Sequence, residues 1–158
     1  MKRNMYLIIL LIAVDQIIKI LICNTIAVSN ETIILLPHIA LNYVENTGAA
    51  WGMFSERILL IFIDIIVIFV ILKALLNKKY EFNNNAKLGM SLILAGGFGN
   101  LIDRIFRGYV VDYIDITRLF DYPIFNFADI CIVVGVILVI TVIIVNTVKD
   151  QENIDEKV

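Results

Sequence analysis

Four stretches of this 158-residue chain are long and apolar enough to cross a lipid bilayer, at roughly 5–23, 58–76, 88–105 and 125–148. A crossing helix takes about 20 largely apolar residues, and backbone in lipid must satisfy its own hydrogen bonds, so such stretches fold as helices. The residues are 60% hydrophobic, whereas a soluble domain usually runs near half apolar. The third stretch is diluted by glycines and ends among Asn100, Asp103 and Arg104. The expected architecture is therefore an all-α membrane protein of four transmembrane helices, in one domain, with a small β element. That element falls between the first two spans, in 24–57. Its piece 32–44 is β-branched and aromatic and reads as short strands interrupted at Pro37. Residues 77–86 read as a short polar turn, and the charged tail 149–158 is expected to fray.

Lys2, Arg3, Lys78, Lys79, Lys87, Lys149 and Lys157 fall at the N-terminus, the middle loop or the tail. The positive-inside rule places these regions, and so both termini, in the cytoplasm. The β-like segment and the loop before the fourth span then lie outside. Arg57, Arg104, Arg107 and Arg118 run against this, although the last three sit among Asp103, Asp112, Asp115 and Asp121 and can pair locally. The first span has a basic start but no small-x-small cleavage site, and it carries Asp15, Gln16 and Lys19. It is expected to be retained rather than removed as a signal peptide. Cys23 follows Ile22, which is not the small residue that precedes a lipid-attachment cysteine.

Several functions are excluded early. There is no basic stripe or reader motif for nucleic acid. One histidine, His38, and two cysteines in apolar spans, Cys23 and Cys131, form no metal-ligand spacing. No cofactor is expected.

The chemistry concentrates in 108–129, which carries Asp112, Asp115, Asp121 and Asp129. Carboxylates beside lipid are costly to desolvate and call for a reason. Asn126 followed three residues later by Asp129 reads as a helix start, where an acid is favoured by the helix dipole, so Asp129 has a capping role available. Against a purely structural role stands a second acid on a loop that must return to the same membrane surface. Two close carboxylates do not both ionise easily, so one keeps a proton while the other acts as base and activates a water. Asp112 and Asp129 are expected to face each other across that water, although spacing alone also allows Asp115 or Asp121 as the partner. In an extended loop Asp112 and Asp115 would point to opposite faces, so only one of them can look at Asp129.

Other polar residues suit support. Asp15 and Lys19, four apart, can pair on one helix face and read as a clasp between helices. Ser91, Ala95 and Gly99 recur every fourth residue, a face for close helix packing, and Asp103 continues the row. Gly48 is a candidate for positive φ in a turn, and Trp51 and Phe54 suit the bilayer interface. Asp64, two turns into the second span, has no evident partner.

Five motifs in order, Asp15-Gln16-x-x-Lys19, Asn46-x-Gly48-Ala49-Ala50-Trp51, Gly99-Asn100-x-x-Asp103-Arg104, Val110-Val111-Asp112 and Phe125-Asn126-x-Ala128-Asp129, together resemble bacterial lipoprotein signal peptidase, also called signal peptidase II. The resemblance covers nearly the whole chain. It implies an aspartyl endopeptidase of the bacterial cytoplasmic membrane that cuts prolipoproteins just before their diacylglyceryl-modified cysteine. It maps the catalytic pair onto Asp112 and Asp129. Supporting or substrate-binding roles map onto Asp15, Lys19, Asn46, Gly48, Asn100, Asp103, Arg104 and Asn126. It also implies an outer β-cradle in 24–57 and inhibition by globomycin-type antibiotics. Trp51, where phenylalanine is common, and Asp64 depart from the pattern. Besides prolipoproteins the expected partner is membrane lipid. A monomer is expected because the small-residue face has partners within the bundle. The rival aspartyl membrane proteases need Gly-x-Gly-Asp, and here Gly97-Phe98-Gly99 is followed by Asn100. A small ion- or proton-coupled transporter using Asp15, Lys19 and Asp64 is the alternative from another class, without an inverted repeat to support it.

Overall fold

The computed structural model describes residues 2–29, 31–48, 55–77, 79 and 81–155. Helix α1 (Lys2–Ser29) is followed by strands β1 (Ile33–Leu36) and β2 (Ile39–Asn46), then α2 (Ser55–Leu76), α3 (Asn84–Phe106), β3 (Val110–Asp115) and α4 (Phe127–Asp155). Ala49, Ala50, Trp51 and Phe54, all singled out above, lie outside the described residues.

Helix α1 runs past the expected end at 23, so 24–29 belongs to it and not to the outer β segment. Two local causes are visible. Thr25 satisfies its hydroxyl within the helix by donating to the Leu21 carbonyl (2.6 Å), and Ile22 and Ile26, one turn apart, are buried against the sheet. Helix α3 starts where the Asn83 side chain accepts the Ala86 N–H at 2.8 Å, an N-cap. At its other end the Asp103 carbonyl accepts from both Arg107 N and Gly108 N. Gly108, at φ 93°, then turns the chain into β3. The tail expected to fray continues α4 as far as Asp155.

The three strands form an antiparallel sheet in the order β1-β2-β3. Pro37 and His38 make the turn between β1 and β2, where the sequence places the break. β3 was not legible as a strand in the aspartate-rich loop. Its residues Val110, Val111, Asp112 and Tyr113 are buried in succession, so it lacks the alternation of a half-exposed strand. Beyond it the chain folds back, and Phe125 pairs with Ile114 through backbone hydrogen bonds. That return sets Asn126 beside β3.

α3 is the hub, packing against α1, α2 and α4, most extensively α4. The expected row Ser91, Ala95, Gly99 and Asp103 is buried throughout. Three further close approaches escaped the sequence reading. A Cβ on Gly89 would stand 2.7 Å from the Gly135 carbonyl oxygen, one on Gly135 2.6 Å from that of Gly89, and one on Gly96 would run into the Ala128 carbonyl. Because the obstacle at Gly96 is backbone, no rotamer change relieves it. Gly96→Ala is expected to destabilise the protein by about 1–3 kcal/mol, an ordinary overpacking cost. Gly97→Ala, whose Cβ would meet only the Ile68 side chain at 3.3 Å, is expected to be tolerated. Thermal unfolding in detergent compares the two.

Burial is inverted relative to a soluble protein. Asp15, Lys19, Asp103 and Asn126 are buried, while Ile9, Leu10, Phe62, Phe69 and Ile137 are exposed. Among the described residues three helices are long and apolar enough to cross a membrane: Lys2–Ser29, Arg57–Leu76 and Phe127–Lys149. α3 does not join them, because its polar residues dilute it, yet Ser91, Asn100 and Asp103 among them are buried. The chain is an integral membrane protein. The helices are also staggered: the Ala128 N–H in the first turn of α4 donates to Asp15, but α1 continues from Asp15 to Ser29, about 21 Å at 1.5 Å per residue.

Candidate active site

Asp112 lies at the middle of β3, and Asp129 in the first turn of α4. Both carboxylates bond to one residue, Asn126. Its side-chain Nδ2 donates to Asp112 Oδ1 at 2.6 Å, and its backbone N–H donates to Asp129 Oδ2 at 3.1 Å. The Asn126 Oδ1 in turn accepts the Asp129 N–H at 3.0 Å. The capping role of Asp129 is thus present, as a reciprocal box, and the same box ties the helix start to the second acid.

The remaining carboxylate oxygens are also met. Asn46 Nδ2 donates to Asp112 Oδ2 at 2.8 Å. Val44 is the register partner of Asp112, so Asn46 is its diagonal neighbour on the same sheet face. The Asn46 amide is held in that sense by Gly48 N, which donates to its Oδ1 at 2.9 Å; Gly48 adopts φ 73°, as the sequence suggests. Asn100 Nδ2 donates to Asp129 Oδ1 at 2.8 Å. Burial raises the Asp112 carboxyl above its ordinary value, opposed by the bonds from Asn46 and Asn126 and reinforced by the charge of Asp129. The two acids therefore feel each other.

Behind them stands a buried ion cluster. Lys19, wholly buried, reaches Asp103 Oδ2 (2.9 Å), Asp15 Oδ2 (3.0 Å) and Asn100 Oδ1 (3.0 Å), one acceptor for each ammonium hydrogen. Each of its two acids holds a backbone amide next to a member of the pair. Asp15 Oδ1 accepts Ala128 N (3.1 Å), the residue before Asp129, and Asp103 Oδ2 accepts Val111 N (3.1 Å), the residue before Asp112. The clasp read from Asp15 and Lys19 therefore spans α1, α3, α4 and β3. Arg107 pairs with Asp103 and donates to Gln16, and Gln16 bonds Asp15 and the Gly99 carbonyl. The local pairing expected of Arg107 is thus with Asp103, four residues before it. Tyr113, whose hydroxyl accepts Phe127 N at 3.2 Å, escaped the sequence reading.

Asp15, Lys19, Asn46, Gly48, Asn100, Asp103 and Asn126 thus gather around Asp112 and Asp129. Arg104 does not. It forms an ion pair with Asp64 at 2.7 Å, joining α3 to α2, and this supplies the partner the sequence left open for Asp64. Asp115 points away and accepts both Thr117 N (2.9 Å) and Thr117 Oγ1 (2.6 Å), bonds that hold its carboxyl below the usual range.

Each acid borders a different cavity. The more polar one, of about 510 Å³, is lined by Glu45, Asn46, Thr47 and Asp112 together with Val44, Gly48, Pro123 and Ile124. A second, of about 310 Å³, touches Asp129 and is otherwise apolar: Ile116, Phe120, Tyr122, Phe125, Ile130, Val133 and Val134. Two carboxylates sharing an asparagine, between a polar cleft and an apolar one, have the parts needed for general acid–base hydrolysis of a bond in an amphiphilic substrate.

The family model described as Signal peptidase (SPase) II matches residues 7–145. A lipoprotein signal peptidase of Staphylococcus aureus (strain JH9) is 37% identical over 145 residues, which cover 90% of this chain and 86% of the relative. The one from strain Newman gives the same values. Two solved bacterial membrane enzymes, determined by the in meso method at 2.3 and 1.9 Å resolution, share the fold. The first has a TM-score of 0.77 at 31% identity and covers 97% of this chain and 92% of its own. The second has a TM-score of 0.82 at 32% identity, covering 90% and 93%.

Proposed function

The chain belongs to the signal peptidase II family of aspartic peptidases, and we propose that it removes the signal peptide of prolipoproteins by cutting before their diacylglyceryl-modified cysteine. The observation that carries the catalytic assignment is the shared bonding of Asp112 and Asp129 to Asn126. In this reading Asp112, raised by burial, keeps its proton in the resting pair. Asp129 takes a proton from the attacking water, and Asp112 gives its own to the carbonyl oxygen. As the resulting diol collapses, the proton held by Asp129 passes to the leaving amine and Asp112 recovers one from a hydroxyl. The peptide C–N bond is broken, one water is consumed, and a carboxylate and an amine are released.

The two cavities support an amphiphilic substrate. The polar one includes the end of β2 at Asn46, an edge along which an extended peptide can lie. The apolar one offers room for acyl chain beside Asp129. Four spans with both termini cytoplasmic put the sheet and the pair toward the outer side of the cytoplasmic membrane. α3, at 23 residues and about 35 Å, is long enough to cross within the shelter of the other helices. The transporter reading loses its support, since Asp15 and Lys19 are committed to structural partners and Asp64 to Arg104. Globomycin-type antibiotics are expected to inhibit.

The test is cleavage by the purified protein, in lipid nanodiscs, of a prolipoprotein with and without the diacylglyceryl group. A size shift for the lipidated form alone is expected. No cleavage of either form would overturn the proposal.

A further inference from the structure

The first strand of the sheet does no work in the chemistry, yet its sequence is unusual for where it stands. β1 reads Ile33-Ile34-Leu35-Leu36, and each of the four is between 46% and 57% exposed. Successive strand residues point to opposite faces, so both faces of β1 are apolar. Among the described residues it is also an edge strand, paired to β2 on one side only. In water a strand that is apolar on both faces with an open edge is a template for aggregation. In the hydrocarbon core the open edge would leave N–H and C=O groups unsatisfied. One zone meets both demands: the acyl–headgroup boundary, where lipid chains cover the faces while headgroups and water bond the edge.

The geometry puts β1 at that depth. Leu41, the register partner of Ile33, packs in the cluster built on Ile22 and Ile26 of α1. From Met5, just after the basic start of α1, to Ile26 the helix rises about 32 Å, close to the ~30 Å hydrocarbon thickness. The lipid-facing side of α1 continues to that level, with Leu21 and Val28 exposed. Glu31 before the strand and His38 after it are exposed polar flanks.

We propose that β1 is an interfacial anchor, lying in the phospholipid leaflet nearest the C-terminal end of α1. It fixes the height of the sheet, and so of Asn46 and Asp112, relative to the bilayer. The inference rests on the chain being an integral membrane protein and stands whether or not the cleavage reading does.

The test is photo-crosslinking of Leu35→p-benzoylphenylalanine in the full chain, reconstituted in phosphatidylethanolamine–phosphatidylglycerol vesicles containing a radiolabelled phospholipid. Leu10, on the lipid-facing surface of α1, and Gln151, exposed near the end of α4, carry the same probe as positive and aqueous controls. A lipid adduct at 35 comparable with that at 10, and well above that at 151, is expected. A yield no higher than at 151 would place the strand in water and overturn the proposal. A chain-to-chain adduct exceeding the lipid adduct would overturn it in favour of edge-to-edge pairing of two copies.

Discussion

Asp112→Asn and Asp129→Asn are each expected to abolish cleavage, a loss of at least ~10²–10⁴ for removing a general acid or base. Asparagine keeps the shape of the side chain, so the fold is expected to persist. At 112 one amide end would face an amide donor, from either Asn46 or Asn126, where two carboxylate oxygens now accept. That mismatch costs about 1–3 kcal/mol. At 129 the amide oxygen can still accept the Asn126 N–H and preserve the cap, while its amide nitrogen meets the Asn100 donor with a like mismatch. Asp115→Asn is the matched control, since its carboxylate serves the Thr117 turn and its neighbours Asn42 and Arg118 rather than Asp129, and is expected to be dispensable. The measurement is cleavage of a lipidated prolipoprotein beside a melting curve for each variant. Full turnover by the variant at 112 or 129 would remove that residue from the pair, and a loss at 115 equal to that at 112 would undo the choice between them.

The second large effect is expected at Lys19, which lines neither of the two cavities beside the acids. Lys19→Met removes the charge between Asp15 and Asp103, leaving Asp15 buried without a cation and Asp103 with Arg107 alone. Breaking a buried ion pair from one side costs about 3–5 kcal/mol, seen as a large drop in melting temperature. Activity is expected to vanish with it. Asp15 and Asp103 hold the amides of Ala128 and Val111, so a disturbed cluster moves both members of the pair at once. Adding Asp15→Asn and Asp103→Asn to Lys19→Met neutralises the stranded charges and is expected to recover part of the stability. If Lys19→Met melts like the wild type, the cluster is not what holds the bundle together.

Much of this arrangement is legible in the residues. The apolar runs locate the helices because their length exceeds anything a soluble core of this size would use. The Asn126 and Asp129 cap, the Asp15 and Lys19 pair and the small-residue row on α3 all follow from the period of one helix, so spacing along the chain reveals them. What spacing cannot reveal is a partner on another element. Asp64 meets Arg104 across two helices, and nothing in either neighbourhood announces it. The Gly89 and Gly135 approach is a property of two helices in register. β3 was hidden for a different reason. Its run of buried residues has no alternation, because it is covered on both sides at once. The double bonding of Asn126 to both acids depends on Phe125 pairing back onto Ile114, a fold-level event with no local signal.

The stagger between α1 and α4 has a consequence for how reactants arrive. The pair lies level with Asp15, roughly 16 Å short of Ile26 at the helical rise, so it sits well below the end of α1. On the α4 side the missing height is made up by Leu119, Phe120 and Tyr122, which are exposed and apolar. On the opposite side stands the sheet with its polar cleft. The joined acids are thus approached from two unlike sides, Asp129 from the greasy one and Asp112 from the wetter one, so a molecule with one part of each kind has a matching berth beside each acid.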